Sequence, residues 1–117
     1  MGTEAGYTIV NARTIWDASN NAVGFCTDQN FADVVVLEHE LKSYSIMFSM
    51  QDIFKIMGPN TAAYLNMSDQ IGTLEAGKLA DIVLLDANPL EGIHNMLKTK
   101  LVLKGGKVVV DKRIAKK

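Results

Sequence analysis

The first half of the chain has helical hydrophobic spacing. From Asp33 onward, apolar residues recur at steps of three and four, which predicts a helix with one apolar face. Asp33 is the expected N-cap of this helix. Glu38 and Lys42 are four residues apart in the favourable order, so an ion pair between them is expected. The predicted apolar face comprises Val34, Leu37, Leu41, Tyr44 and Phe48.

A second, shorter helix is predicted after residue 49. Ser49 and Asp52 have the spacing of a capping box with Asp in place of Glu. Ile53, Ile56 and Met57 would form its apolar face. Gly58 and Pro59 then stop or kink the helix, because proline lacks an amide hydrogen. Alternatively, Pro59 opens a further helical turn over residues 61–65.

The second half has strand spacing. Residues 80–85 form a short apolar run that predicts a strand buried on both faces. Gly72 and Gly77 before it permit a positive φ, and the turn residues Asp86, Asn88 and Pro89 end it.

Residues 90–97 are expected to form a helical turn in which Ile93, Met96 and Leu97 share one face. Residues 100–104 and 107–111 are joined by Gly105-Gly106, a strong hairpin signal. Helices followed by mainly antiparallel strands predict an α+β fold with two to four helices on a small sheet. We expect one domain, 1–117, with a helix–strand–helix segment at 1–66 and a β segment at 67–117.

Two segments near the N-terminus are less clear. Residues 7–10 favour a strand, whereas residues 10–18 favour a helix with Ile15 and Trp16 on its buried side. Residues 22–28 have the pattern of a buried strand that ends at Asp28. Cys26 within this run is expected to be a small buried hydrophobic residue.

Composition indicates a globular chain: of 117 residues, 48% are hydrophobic and 21% are charged. The net charge of −1 excludes a field that would recruit nucleic acid or an acidic membrane. One cysteine permits no intrachain disulfide and suits the cytoplasm. No signal peptide or membrane span is predicted.

Four short segments of the second half have a distinctive sequence: GTLE at 72–75, GKLAD at 77–81, NPL at 88–90 and VLKGGKVV at 102–109. They resemble segments of the metal-dependent amidohydrolase superfamily, in particular of its prolidase-like and imidazolonepropionase-like members. The resemblance implies a truncated enzyme: the last units of a TIM barrel followed by the terminal β-lobe. It also favours a helix over the strand at the N-terminus, because residues 11–18 resemble the helix before the last barrel strand.

Asp28 is the candidate catalytic and metal-binding residue. From the residues alone, a turn or capping role after a strand is the more common one. The tripeptide Cys-Thr-Asp at 26–28 resembles the Gly-Thr-Asp motif of the eighth barrel strand. That resemblance implies that Asp28 corresponds to the aspartate that touches the metal and carries a proton from metal-bound water to the leaving nitrogen.

The remaining metal ligands of the family are missing from the sequence. A hydrolytic zinc site needs about three protein ligands, and the only histidines, His39 and His94, are expected to be solvated. Zinc or another divalent metal belongs to the parent family, but none is expected in the isolated chain. The resemblance implies that the parent activity is hydrolysis of C–N bonds in amides or dipeptide-like substrates.

We expect the isolated chain to be inactive. It would be a self-associating or partner-binding module, or one half of a split enzyme. Its expected partner is a second copy of the chain in a homodimer, or a complementary chain that supplies the missing barrel.

Overall fold

A computed structural model of the protein describes residues 4–19, 23–27 and 36–113. The described chain has an α+β fold, as predicted. No helix within it is long and apolar enough to cross a membrane. The helices are α1 (Glu4–Ser19), α2 (Val36–Met47), α3 (Met50–Lys55), α4 (Thr61–Tyr64) and α5 (Ile93–Met96), and the strands are β1 (Ile82–Leu85), β2 (Thr99–Lys104) and β3 (Lys107–Asp111).

Helix α1 packs across the end of α2. The Trp16 ring meets the Phe48 ring edge to face, with 5.6 Å between centroids. The Arg13 guanidinium donates a hydrogen bond of 3.0 Å to the Met47 carbonyl, which lies in the last turn of α2 and has no intrahelical partner. The predicted helix is therefore confirmed, and the alternative strand at 7–10 is wrong. Trp16 is buried as expected, but Ile15 is 49% exposed and does not share its face.

The apolar core lies mainly between the helices. Leu41 of α2 and Ile53 and Ile56 in and after α3 are essentially inaccessible to solvent. The predicted Glu38–Lys42 ion pair is present at 2.6 Å, and Ser49 and Asp52 form the predicted capping box. The predicted N-cap, Asp33, lies outside the described residues.

Pro59 lies where the helical winding of the chain changes. A π-helical turn, Ile56–Asn60, contains Pro59 and joins α3 directly to α4. The wider turn accommodates a residue that has no amide hydrogen to donate. Both alternatives for this proline are thus partly correct, since the chain changes its helical winding here and continues into a further helical turn.

The three strands form one antiparallel sheet in the order β1-β2-β3. The two glycines of the hairpin have φ of 55° and 76° at Gly105 and Gly106, so the predicted hairpin is confirmed. Strand β1 is also confirmed, but it is not buried on both faces: Val83 is 56% exposed and Leu84 43% exposed. Because adjacent side chains of a strand point to opposite faces, both faces of β1 are partly open to solvent in the described chain.

The second half of the chain meets the helices of the first half at two places. The side chains of Ile93, Met96 and Leu97 pack against the helical core, as the shared face predicted. At the second place two glycines are in close approach. A Cβ built on Gly58 would lie 2.8 Å from the Gly72 carbonyl oxygen, and Gly72 has the positive φ that was predicted. The predicted division of the single domain into a segment 1–66 and a segment 67–117 stays a prediction.

Candidate functional site

The candidate catalytic residue, Asp28, lies outside the described residues. The chain is described up to Thr27, the residue before it. Residues 23–27 lead up to Asp28 and are called the approach segment here. Helical residues of the described chain hold this segment in place. This segment is neither helix nor strand, so the predicted strand is wrong over these five residues.

Side chains from the helices, rather than a neighbouring strand, bind the backbone of the approach segment. Asn60 donates its amide to the Val23 carbonyl at 3.2 Å, and the Tyr44 hydroxyl donates to the Gly24 carbonyl at 3.1 Å. The amide of Phe25 donates to the Thr61 hydroxyl oxygen at 2.9 Å. Buried backbone groups must be paired, and these three bonds replace part of the ladder that a strand would have.

Two of these anchoring side chains are themselves fixed in place. Asn60 is buried, at 7% exposure, in the π-helical turn. The Thr61 hydroxyl donates to the Ile56 carbonyl at 2.6 Å while accepting from the approach segment. Neither residue was predicted from the sequence, because a polar residue after proline is more often a turn residue than a buried donor.

Tyr44 has a chemical environment suited to a donor. Burial raises the pKa of its hydroxyl, and the negative charge of Glu40 acts in the same direction. The Tyr44 hydroxyl therefore stays protonated and able to donate near neutral pH. Its ring packs on the Phe25 ring, with 5.3 Å between centroids. Cys26, next in the chain, is exposed, so the expectation of a buried cysteine is wrong.

Both histidines are exposed, as predicted. Each helps to lower the pKa of Glu38, although the largest cause is the hydrogen bond from Lys42. Within residues 4–19, 23–27 and 36–113, no three His, Cys, Asp or Glu side chains are grouped so that they could hold a metal ion. The described residues do not fit the donor set of a hydrolytic zinc site.

A groove of about 600 Å³ lies between α3, the π-helical turn and β1. Its wall is largely apolar and includes Phe54, Pro59 and Val83, with Lys55 and Asp81 as charged members. No described residue of the approach segment lines it. The groove is thus separate from the approach segment, and its wall offers few groups for hydrolytic chemistry.

Asp81 joins two segments that are distant in sequence. Its carboxylate accepts from the Gly105 amide at 2.7 Å and from the Lys104 ammonium. The Lys104 hydrogen bond is the main reason that the pKa of Asp81 is lowered, and the Gly105 bond adds to it. The Gly106 amide also donates to the Ala80 carbonyl at 2.9 Å. The hairpin turn is therefore bound to the start of β1.

Residues 6–109 match the model of the amidohydrolase family. The chain belongs to the amidohydrolase family. It is 34% identical over 98 residues to an imidazolonepropionase of Phocaeicola vulgatus, a match that covers 78% of this chain and 24% of that protein. It is 32% identical over 95 residues to an imidazolonepropionase of Alkaliphilus metalliredigens, covering 76% and 21% of the two chains. This amidohydrolase chain thus spans about a quarter of the length of the curated relatives it matches.

Solved structures agree on the fold. A Xaa-Pro dipeptidase with methionine bound in its active site superposes with a TM-score of 0.74 at 22% identity. The superposition covers 86% of this amidohydrolase chain and 25% of the dipeptidase. Most of the chain therefore folds like one part of that larger protein.

Proposed function

We propose that this chain descends from a metal-dependent amidohydrolase that hydrolyses C–N bonds in small amide or dipeptide-like substrates. The observation that carries this proposal is the family match over residues 6–109. The names of the relatives, imidazolonepropionases and a Xaa-Pro dipeptidase, support the substrate class. The single cysteine supports a cytoplasmic location.

By itself, the 117-residue chain does not complete a catalytic metal site. Its histidines number two, one in α2 and one in α5, and both are exposed. Asp28 is the one residue that matches a catalytic position of the family, and a hydrolytic site needs about three protein ligands. Hydrolysis would require a complementary chain that contributes the other ligands.

A second candidate function is a non-catalytic binding module. The exposed apolar side chains of the sheet favour it: Val83, Leu84, Val108 and Val109 are all at least 43% exposed. The two pairs lie on the two outer strands of the sheet, and exposed apolar side chains of this kind favour a binding surface. On this second proposal the chain associates with itself or with a partner protein and performs no hydrolysis.

A complementation experiment separates the two candidates. The chain would be co-expressed with the portion of the Phocaeicola vulgatus imidazolonepropionase that the match does not cover, and bound zinc would be counted by mass spectrometry. For the enzyme proposal we expect zinc and C–N hydrolysis only in the joint complex. Both should be lost in Asp28→Asn and retained in Asp69→Asn, a matched change at an exposed residue.

Two outcomes would decide against the enzyme proposal. If the two chains form a complex that holds zinc equally with Asp28 or with Asn at position 28, then Asp28 is not a ligand. If the purified 117-residue chain alone retains one zinc per molecule and loses it on Asp28→Asn, the proposed need for a second chain is wrong.

A further inference from the structure

The groove between α3, the π-helical turn and β1 has walls that contacts within the chain hold in place. Gly58 and Gly72 both line it and are in close approach to each other. Asp81, on the β1 side, accepts a hydrogen bond from the Gly105 amide at 2.7 Å. Because these contacts fix its walls, the groove is preformed, as most binding sites are.

Three apolar side chains that line the groove are at least half exposed. Leu74 is 80% exposed, Val83 is 56% exposed and Leu79 is 50% exposed. A smaller cavity of about 270 Å³ shares Leu74 and Leu79 with the groove, so the apolar depression extends beyond it. A single exposed apolar residue needs no explanation, but several around one concave surface indicate that a partner covers it.

The polar side chains of the wall are poorly placed to orient a small ligand. Asp81 is already in an ion pair with Lys104, and the Thr73 hydroxyl is hydrogen-bonded within its own loop. The other two polar side chains of the described wall, Gln51 and Lys55, are exposed. Small-molecule sites instead combine an apolar wall with polar groups that converge on the ligand. The groove therefore suits an apolar protein segment better.

The groove belongs to the part of this chain that is shared with longer amidohydrolases. Its lining residues, which fall between 51 and 83, all lie within the family match over residues 6–109. The family-like segments at 72–75 and 77–81 contribute Leu74 and Leu79 to the wall. The match to the Phocaeicola vulgatus imidazolonepropionase covers 24% of that protein, so about three quarters of it has no counterpart here. That additional chain is the partner most directly available to cover a shared apolar surface.

We infer that this groove is the docking site for the complementary chain, the part of an amidohydrolase that the 117-residue chain does not contain. An apolar segment of the complementary chain fills the groove against Phe54, Pro59 and Val83 and covers Leu74 and Leu79. The inference rests on the proposed need for a complementary chain and names the surface that binds it. No described residue of the approach segment lines the groove, so docking there leaves the approach segment unoccupied.

The test measures complex formation separately from zinc binding. The 117-residue chain is co-expressed with the uncovered portion of the Phocaeicola vulgatus imidazolonepropionase, and the purified complex is diluted in EDTA over a concentration series. Sedimentation velocity then gives the dissociation constant of the two chains. We expect Val83→Lys and Leu79→Lys each to weaken the complex roughly tenfold or more, because each would bury an ammonium group in an apolar contact.

Two substitutions away from the groove are matched controls. Val108 on β3 is 55% exposed, close to Val83, and Ile15 on α1 is 49% exposed, close to Leu79. Neither residue lines the groove, so we expect Val108→Lys and Ile15→Lys to leave the dissociation constant unchanged. Urea denaturation checks the fold of every variant, and a groove variant that fails to fold is replaced by Leu74→Lys.

Three results would overturn the inference. The first is that the wild-type chains form no complex in EDTA. The second is that Val108→Lys weakens the complex and Val83→Lys does not, which assigns the interface to β3. The third is that the 117-residue chain alone forms a dimer that Val83→Lys abolishes, which places a second copy in the groove.

Zinc content separates this inference from the enzyme proposal. A complex that depends on Val83 and Leu79 but holds no zinc when zinc is supplied supports the docking site and contradicts the enzyme proposal. A complex that holds zinc and is unaffected by Val83→Lys and Leu79→Lys contradicts only the docking site.

Discussion

The carboxylate of Asp81 binds the backbone amide of Gly105 across 24 residues of sequence, at 2.7 Å. Asp81 precedes β1 and Gly105 opens the hairpin between β2 and β3. This contact explains why the family-like sequences at 77–81 and 102–109 belong together. The aspartate of the first stabilises the turn of the second, so they form one structural unit.

We expect Asp81→Asn to loosen the hairpin. The asparagine side chain has no negative charge for the Lys104 ammonium and forms a weaker bond to the Gly105 amide. Hydrogen exchange at the Gly105 and Gly106 amides should become faster. Asp86→Asn, which removes an exposed ion pair with Lys100, is the control and should leave these two amides unchanged. Equal exchange in both variants would show that Asp81 does not hold the turn.

The same aspartate should make the hairpin sensitive to acid. Its pKa in the folded chain is lowered from 3.8, chiefly by the Lys104 hydrogen bond. The stabilisation is therefore present above the unfolded value of 3.8 and is lost as the pH falls through the folded pKa. We expect wild-type exchange at Gly105 to approach that of Asp81→Asn in this acidic range. A gap between them that persists below the folded pKa would contradict this.

Gly72→Ala should lower the free energy of unfolding by about 2 kcal/mol or more. A Cβ at this position would lie 2.6 Å from the Ala62 Cβ, and the φ of +96° is itself unfavourable for alanine. Gly77 has a similar φ of +93° but open space around it, so Gly77→Ala should cost about 1 kcal/mol. Urea denaturation of both variants measures the difference, and equal losses would mean that the crowding at Gly72 is unimportant.

Asn60→Ala should destabilise the fold by about 1–3 kcal/mol, because it leaves the Val23 carbonyl without its side-chain donor. The effect should be local as well, with faster exchange at the Phe25 amide. Asn95→Ala, which removes an exposed side-chain bond to the Asn88 carbonyl, is the matched control. If the control variant loses as much stability, then burial does not increase the cost of removing the Asn60 hydrogen bond.

Tyr44→Phe should cost about 1 kcal/mol near neutral pH, since it removes the donor to the Gly24 carbonyl. The folded pKa of Tyr44 is raised above 10.0. Its contribution is therefore complete below pH 10.0 and is lost as the pH rises through the folded pKa. The stability difference between wild type and Tyr44→Phe should shrink in that range, as measured by urea denaturation. A constant difference would show that the hydroxyl does not donate there.

Local sequence patterns were sufficient to predict much of the secondary structure of this protein. The capping box at Ser49, the Glu38–Lys42 pair and the hairpin at Gly105-Gly106 were all predicted, because each depends on residues within a few positions of one another. The family-like segments predicted the amidohydrolase assignment for the same reason, since they are contiguous strings.

Tertiary structure decided the rest. Strand β1 has the composition of a buried strand, but its burial depends on which elements cover its two faces, and in the described chain Val83 and Leu84 are both exposed. The segment at 23–27 looks like a strand, yet Tyr44, Asn60 and Thr61 bind its backbone from helices that lie 20 to 37 residues away. Burial and partner choice arise from contacts between distant residues, and a local hydrophobic pattern contains no information about those contacts.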